Sequence, residues 1–375
     1  MEKLHLSSFF LVLALAWAAG GRAAAYDSFH PGAEWLDTEG RPIQAHEGSI
    51  IVVDGVYYWY GQNKAKTDGV SPIWHLGINL YSSRDLYNWK YEGVTIRPDP
   101  DDPASPLHPH AHLERPHIVF NAQTHKFVCW MNVMRDNGRR QPVVTLSADS
   151  IFGPWKIERW ELKPCGMNMG DADLAVADDG KAYCYFNRIH SELVCADLTD
   201  DYTGTTGYYS THFPKPGPPY VREGVTWFMR EGKHYLVTSG TTGYDPNPSE
   251  IAVADTWHGP FRTLGNLHPD DPSRTSYHSQ VSDIFKVPGK KDLYIALADR
   301  WWPKDMDVTY EETENAYRKW FGLSYDAALY EKYEARTKDR KQCMRDSRYV
   351  WLPFVFRDGV PVLVWRDEWR LSEFE

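Results

Sequence analysis

The chain has 375 residues, with 41 Lys and Arg against 51 Asp and Glu, for a formal net charge of −10. That acidic balance argues against nucleic acid or an anionic membrane as partner, since both require a basic face. Aromatic residues make up 14% of the chain, with 16 Trp and 23 Tyr. Most must fill a core, leaving a minority free to stack on sugar faces. Five cysteines, an odd number, allow at most two bridges and carry no further inference.

In chain order, the first 25 residues read as a secretory signal. Lys3 opens a basic region, an apolar run covers 9–18, and Ala23, Ala24 and Ala25 offer a cleavage site before Tyr26. That run is too short to span a bilayer, and no later stretch of 18 apolar residues occurs. The expectation is a soluble protein exported to the periplasm or the medium, with residues 26–375 as one domain.

From residue 47 onward one pattern recurs five times. An acid or its amide opens a short apolar strand, a turn follows, and an aromatic strand returns. The openings are Glu47, Glu114, Asp171, Glu223 and Gln280, spaced 67, 57, 52 and 57 residues apart. The turns are Asp54-Gly55, 122–125, Asp179-Gly180, Glu231-Gly232 and Pro288-Gly289. A second repeat (81–89, 146–155 and 253–261) reads as a third strand, a tight turn and an outer strand begun by Trp or Phe. The segments 349–356 and 360–365 supply the outer strands of the last unit. A period of this size, with four strands per unit, predicts an all-β chain folded as a five-bladed β-propeller. Radial repetition then gathers the five openings around one axis. Loops 61–77, 131–141, 187–191, 240–249 and 301–345 follow the return strands and are expected to rim the resulting pocket.

One stretch is foreign to the repeat. Residues 304–345 are dense in Glu, Lys, Arg and Ala, with Tyr310, Tyr317, Phe321, Ala328 and Tyr330 at helical spacing. They predict a helical insertion of one or two helices, either a solvated decoration or a wall of the pocket.

Two carboxyl groups flanking a bond are the minimum for glycoside hydrolysis: one protonates the leaving oxygen, and a base or nucleophile works from the other side. Clustered carboxylates raise one another's proton affinity, so one can hold its proton near neutrality. A single acid opening a strand is usually an ordinary turn or edge residue; five recurring together are not. His108, His110 and His112 alternate as metal ligands on an extended strand would, but no fourth ligand is fixed. Asp99 to Asp102 lack the Gly and Glu of a calcium loop. No metal and no cofactor is expected.

Several stretches together resemble glycoside hydrolase family 43, in the branch of galactan 1,3-β-galactosidases. They are 35–40 with 43–46, 57–61, 81–89, Glu114-Arg115-Pro116, 178–180, 238–243 with Pro246-Asn247, Ser279-Gln280, 299–301 and 349–353. The resemblance implies a five-bladed propeller that hydrolyses with inversion, acting on a plant-type polysaccharide, most specifically as an exo-β-1,3-galactosidase. It places Glu223 on the general acid, Asp171 on the aspartate that tunes that acid, and Glu114 on the glutamate lining the sugar site. Gln280 matches the glutamine thought to act as base in this branch. Glu47 stands where that branch has lost an acid. It restores a carboxylate base, or Gln280 keeps the branch role. Gln62 replaces a glutamate of the branch and puts galactose in question. Asn132, Thr241, Thr242, Tyr244, Arg300 and Trp301 are the remaining candidate sugar contacts. Rival readings are another activity of the family (α-L-arabinofuranosidase or β-xylosidase), a propeller that binds sugar without cleaving it, and a structural propeller. The intact pair of Glu223 and Asp171 speaks against the binding reading, and the five aligned polar openings speak against the structural one.

Overall fold

The protein's structure, a computed structural model, describes residues 25–338 and 340–375. All but the last residue of the expected signal segment lies outside the described residues. Five antiparallel sheets are arranged as a five-bladed propeller. The first blade is β1 (His46–Val53), β2 (Val56–Gln62), β3 (Ile78–Ser83) and β4 (Lys90–Ile96). The second is β5 (His112–Asn121), β6 (Lys126–Met134), β7 (Val143–Ala148) and β8 (Lys156–Leu162). The third is β9 (Met169–Val176), β10 (Ala182–Arg188), β11 (Glu192–Leu198) and β12 (Thr205–His212). The fourth is β13 (Arg222–Arg230), β14 (Lys233–Gly240), β15 (Glu250–Ala254) and β16 (Arg262–Asn266). The fifth runs β17 (Gln280–Lys286), β18 (Tyr294–Arg300), then β19 (Arg348–Tyr349), β20 (Leu352–Arg357) and β21 (Val360–Leu363). Each inner strand packs on the next, and β17 returns to β1.

Turn chemistry explains the hairpins. Asp54-Gly55, Glu231-Gly232 and Asp358-Gly359 each place two successive residues at positive φ, the geometry whose twist matches paired strands. All five cysteines are free, and Cys129 and Cys184 serve as small buried hydrophobes.

Every blade is made from one contiguous stretch, so no exchanged strand locks the ring. An aromatic seam joins its two ends instead. Phe29 and Trp369 exchange backbone hydrogen bonds of 2.9 and 3.1 Å, and their rings stack at 4.1 Å. Trp59, Trp89 and Trp351 are fully buried in the same cluster.

The insertion forms two helices, α1 (Tyr310–Trp320) and α2 (Ala327–Thr337). Thr309 and Glu312 make a capping box at the start of α1, and Asp326 caps α2. The insertion is docked rather than splayed. Tyr333 donates to Asp245 Oδ2 at 2.7 Å, and Arg340 reaches both Asp245 and Asp305. This fixes it against the loop 240–249 at the rim.

The five openings differ in one respect from the sequence pattern. Glu114 pairs across the hairpin with Asn132 and Glu223 with Ser239, each one residue ahead of a bulge. In the first blade His46 holds that place, opposite Gln62, and Glu47 lies inside the bulge at φ 54°. Asp171 is also in a bulge, between Met169 and Ala172. A bulge re-aims a side chain, which is how residues at unequal positions reach a common centre.

Candidate active site

An open cavity lies where the five inner strands begin. Glu47, Glu114, Asp171, Glu223 and Gln280 all line it. Tyr244, Asn187 and His190 stand around its wall.

Glu223 is only half-buried by surface, being open to the cavity, yet protein crowds it at close range. Burial, then the charge of Asp171, pushes its proton affinity well above the carboxylate range, against the opposing pull of Arg115. Asp171 is held by three donors. Its Oδ2 accepts the Gly224 N–H at 2.8 Å and Arg115 Nη2 at 3.5 Å, and its Oδ1 accepts Arg115 Nε at 3.2 Å. The amide it grips belongs to the residue following Glu223, so Asp171 fixes the acid's backbone as well as its charge.

Glu114 is the opposite case. Burial alone would raise it, but His112 beside it, the Tyr244 hydroxyl and Lys64 hold it down to about 2. His112 Nε2 lies 2.9 Å from Glu114 Oε1, and Tyr244 donates to the same oxygen. Glu47 is pushed up to about 8 by burial and by the charge of Glu114, opposed by Lys64 and Arg115. Its N–H donates to Asp299 Oδ2 at 2.9 Å, and Asp299 is itself fixed by His46 Nδ1 at 2.9 Å. Glu47 Oε2 accepts from Gln62 Nε2 and from the Arg115 N–H at 3.1 Å. Among the described residues no donor bonds its Oε1. Lys64 is fully buried without a hydrogen bond, its Nζ 3.9 Å from the Trp74 ring centroid. Burial draws it down to about 8, despite the charges of Glu47, Glu114 and Asp299.

Gln280 Nε2 donates to Ser239 Oγ at 2.9 Å, and that hydroxyl donates to the Glu223 carbonyl at 3.3 Å. The hydroxyl proton is thus committed to a carbonyl, which leaves its lone pair to accept an N–H.

The other expected contacts divide. Tyr244 lines the cavity. Gln62 is fully buried behind it and steadies Glu47. Asn132 is buried opposite Glu114, with its Nδ2 3.4 Å from Gln141 Oε1. Thr241 gives its hydroxyl to the Val221 carbonyl at 2.9 Å. Thr242 does not reach the cavity: its hydroxyl ties Asp245 O to Asn247 inside the loop. Arg300 does not reach it either. It bonds the Tyr277 carbonyl at 2.8 Å and lies over Trp365, because alternation along β18 turns it away from Asp299. Trp301 is buried edge-on against Tyr244 at 5.2 Å and has no open stacking face.

Sequence reasoning weighed His112 only as a metal ligand and passed over Lys64. His112 was findable, since it sits two residues before Glu114 and so on the same face of β5; nothing in the sequence singles out Lys64. Also missed was a second polar ring beneath the first. There His117 Nδ1 meets Asp173 Oδ1 at 3.0 Å, and Ser49 donates to Asp283. His117, Asp173 and Asp283 bring three ligand-type atoms within 4.8 Å of one another. These hydrogen bonds hold the group together, with Asp283 raised to about 6 by burial and by the charge of Asp173.

A five-bladed propeller with a cavity of split-affinity carboxyl groups on its axis defines a class of carbohydrate-active folds. The sequence model of the glycosyl hydrolases family 43 matches residues 41–313, and the chain belongs to that family. Two solved family 43 β-1,3-galactosidases, one with galactodeoxynojirimycin, are similar at 27% identity and a TM-score of 0.74. They match 92% of this chain, and 64% and 100% of their own lengths. A xylan 1,3-β-xylosidase from Vibrio sp. is 25% identical over 231 residues, 57% of this chain. The chain covers 40% of that relative's length.

Proposed function

We propose that the protein is a glycoside hydrolase that releases terminal galactose from β-1,3-linked galactan with inversion. The observation that carries this reading is the convergence of Glu47, Glu114, Asp171 and Glu223, with divided proton affinities, on one cavity. Glu223, kept protonated, gives its proton to the glycosidic oxygen as the C–O bond breaks. Glu47 through its free Oε1 takes a proton from a water that attacks the anomeric carbon from the opposite face. The products are a sugar of inverted configuration and the shortened chain. Glu114, held ionised, accepts hydroxyl protons of the bound sugar.

Gln280 orients the water. An amide acts as base only through its uncommon imidic form, whereas a carboxylate is a competent base for water. A base whose affinity lies near the working pH suits proton abstraction, and Glu47 meets that condition. The similarity to β-1,3-galactosidases supports galactose. The Vibrio relative supports β-xylose as the second reading. Export through residues 1–25 belongs to the same proposal, and mass spectrometry of protein secreted by an expressing host should find a mature terminus at Tyr26.

The experiment is monosaccharide release from β-1,3-galactan, xylan and arabinan by wild type and Glu223→Ala. Galactose released by wild type and abolished in the variant supports the reading. Xylose or arabinose in its place moves the specificity, and no release from any glycan leaves a sugar-binding propeller.

A further inference from the structure

We infer that the C-terminal end of α1 is an aglycone subsite, an aromatic platform that stacks on a pyranose ring of the chain leaving the cavity. This rests on the hydrolase reading above and extends it to a part of the chain outside the repeat.

Trp320 is 50% exposed, and no other tryptophan among the described residues is as open to solvent. Leaving a large apolar face in water forgoes the stabilisation that burial would bring, and such patches mark binding surfaces. Phe321, next in sequence, is 40% exposed. Tyr317, one turn earlier, lies 4.7 Å from Trp320 and 6.4 Å from Phe321 between ring centroids.

The patch is continuous with the cavity at two points. Phe321 meets the ring of His190, a cavity-lining residue, edge-on at 5.4 Å. A Cβ added at Gly243, also a lining residue, would stand 2.9 Å from the Tyr317 hydroxyl. A chain leaving the cavity over His190 and Gly243 meets these rings.

The platform is also held firm, as a stacking surface must be to avoid an entropic penalty on binding. Gly322, at φ 73°, ends α1, and the Leu323 N–H returns to the Arg318 carbonyl at 2.7 Å. Tyr220 bonds Glu314 at 2.7 Å and Arg318 at 2.6 Å, pinning α1 to the loop before β13. Tyr333 of α2 supports Trp320 from behind at 5.8 Å.

The test compares a β-1,3-galactan oligosaccharide, long enough to cross the rim, with an aryl β-galactoside that ends before it. Trp320→Ala is expected to raise KM for the oligosaccharide about tenfold and to change kcat/KM for the aryl glycoside less than about twofold. Trp320→Phe should recover most of the loss, and Phe321→Ser should reproduce part of it without touching Trp320. Equal losses on both substrates, or no loss on the oligosaccharide, overturn the subsite. If wild type releases no galactose, the substrate reading fails while the platform stays testable. Glu223→Ala is then run by affinity electrophoresis through galactan, xylan and arabinan. Retardation that Trp320→Ala abolishes supports the platform. Retardation that survives it, or none in any glycan, overturns it.

Discussion

Two polar rings cross the same axis one above the other, and they differ in what is left unsatisfied. In the lower ring His117 and Asp173 pair and Ser49 takes Asp283. In the upper ring Glu223 and Glu47 are driven above the carboxylate range, Glu114 is driven below it, and a cavity stands over all three. Both rings come from the same inner strands. The lower closes on itself and holds the blades together. The upper keeps proton affinities that only a reacting substrate can put to use.

This contrast breaks most sharply at Glu223. Glu223→Gln removes the proton donor and is expected to lower kcat by about 10³-fold. Its Tm should hold or rise, because no paired charge is lost. The lower ring should behave in reverse. Asp173→Ala leaves His117 buried without its partner and is expected to cost about 3 kcal/mol of stability, seen as a lower Tm, with kcat per folded molecule within about twofold of wild type. The pair also carries a pH sign. His117 is raised in the fold, by Asp173 against burial, so its contribution is complete below the unfolded value of about 6.5. It fades as pH climbs through the raised value. In Asp173→Ala that alkaline loss should be gone from the Tm profile.

The division of labour between Glu47 and Gln280 gives smaller effects. With Glu47 as base, the rising limb of kcat/KM follows ionisation of its carboxyl near about 8, and the falling limb follows loss of the raised Glu223 proton. Glu47→Gln is expected to lose about 10²-fold and the rising limb with it. Gln280→Ala should lose about tenfold and keep the limb. The reverse pattern would return the base to Gln280.

The blade count, the hairpin turns and the five openings were legible in the sequence, because each depends on local chemistry repeated at a period. The helical insertion was legible for the same reason, as a break in that period. Placement by tertiary contact was not. Arg300 was expected in the site as a residue at the end of a return strand, and strand alternation sends it to the other side. Thr242 is spent on its own loop. The offset of Glu47 by one position is set by a bulge that spacing between blades does not reveal. Lys64 reaches the carboxylates from a loop whose path only the fold determines.

The most direct measurement is proton NMR of the first galactose released from a β-1,3-galactan oligosaccharide, followed before mutarotation with wild type and Glu223→Gln side by side. The account predicts the α anomer from wild type and no release by the variant. The β anomer, or equal release by both proteins, would contradict it.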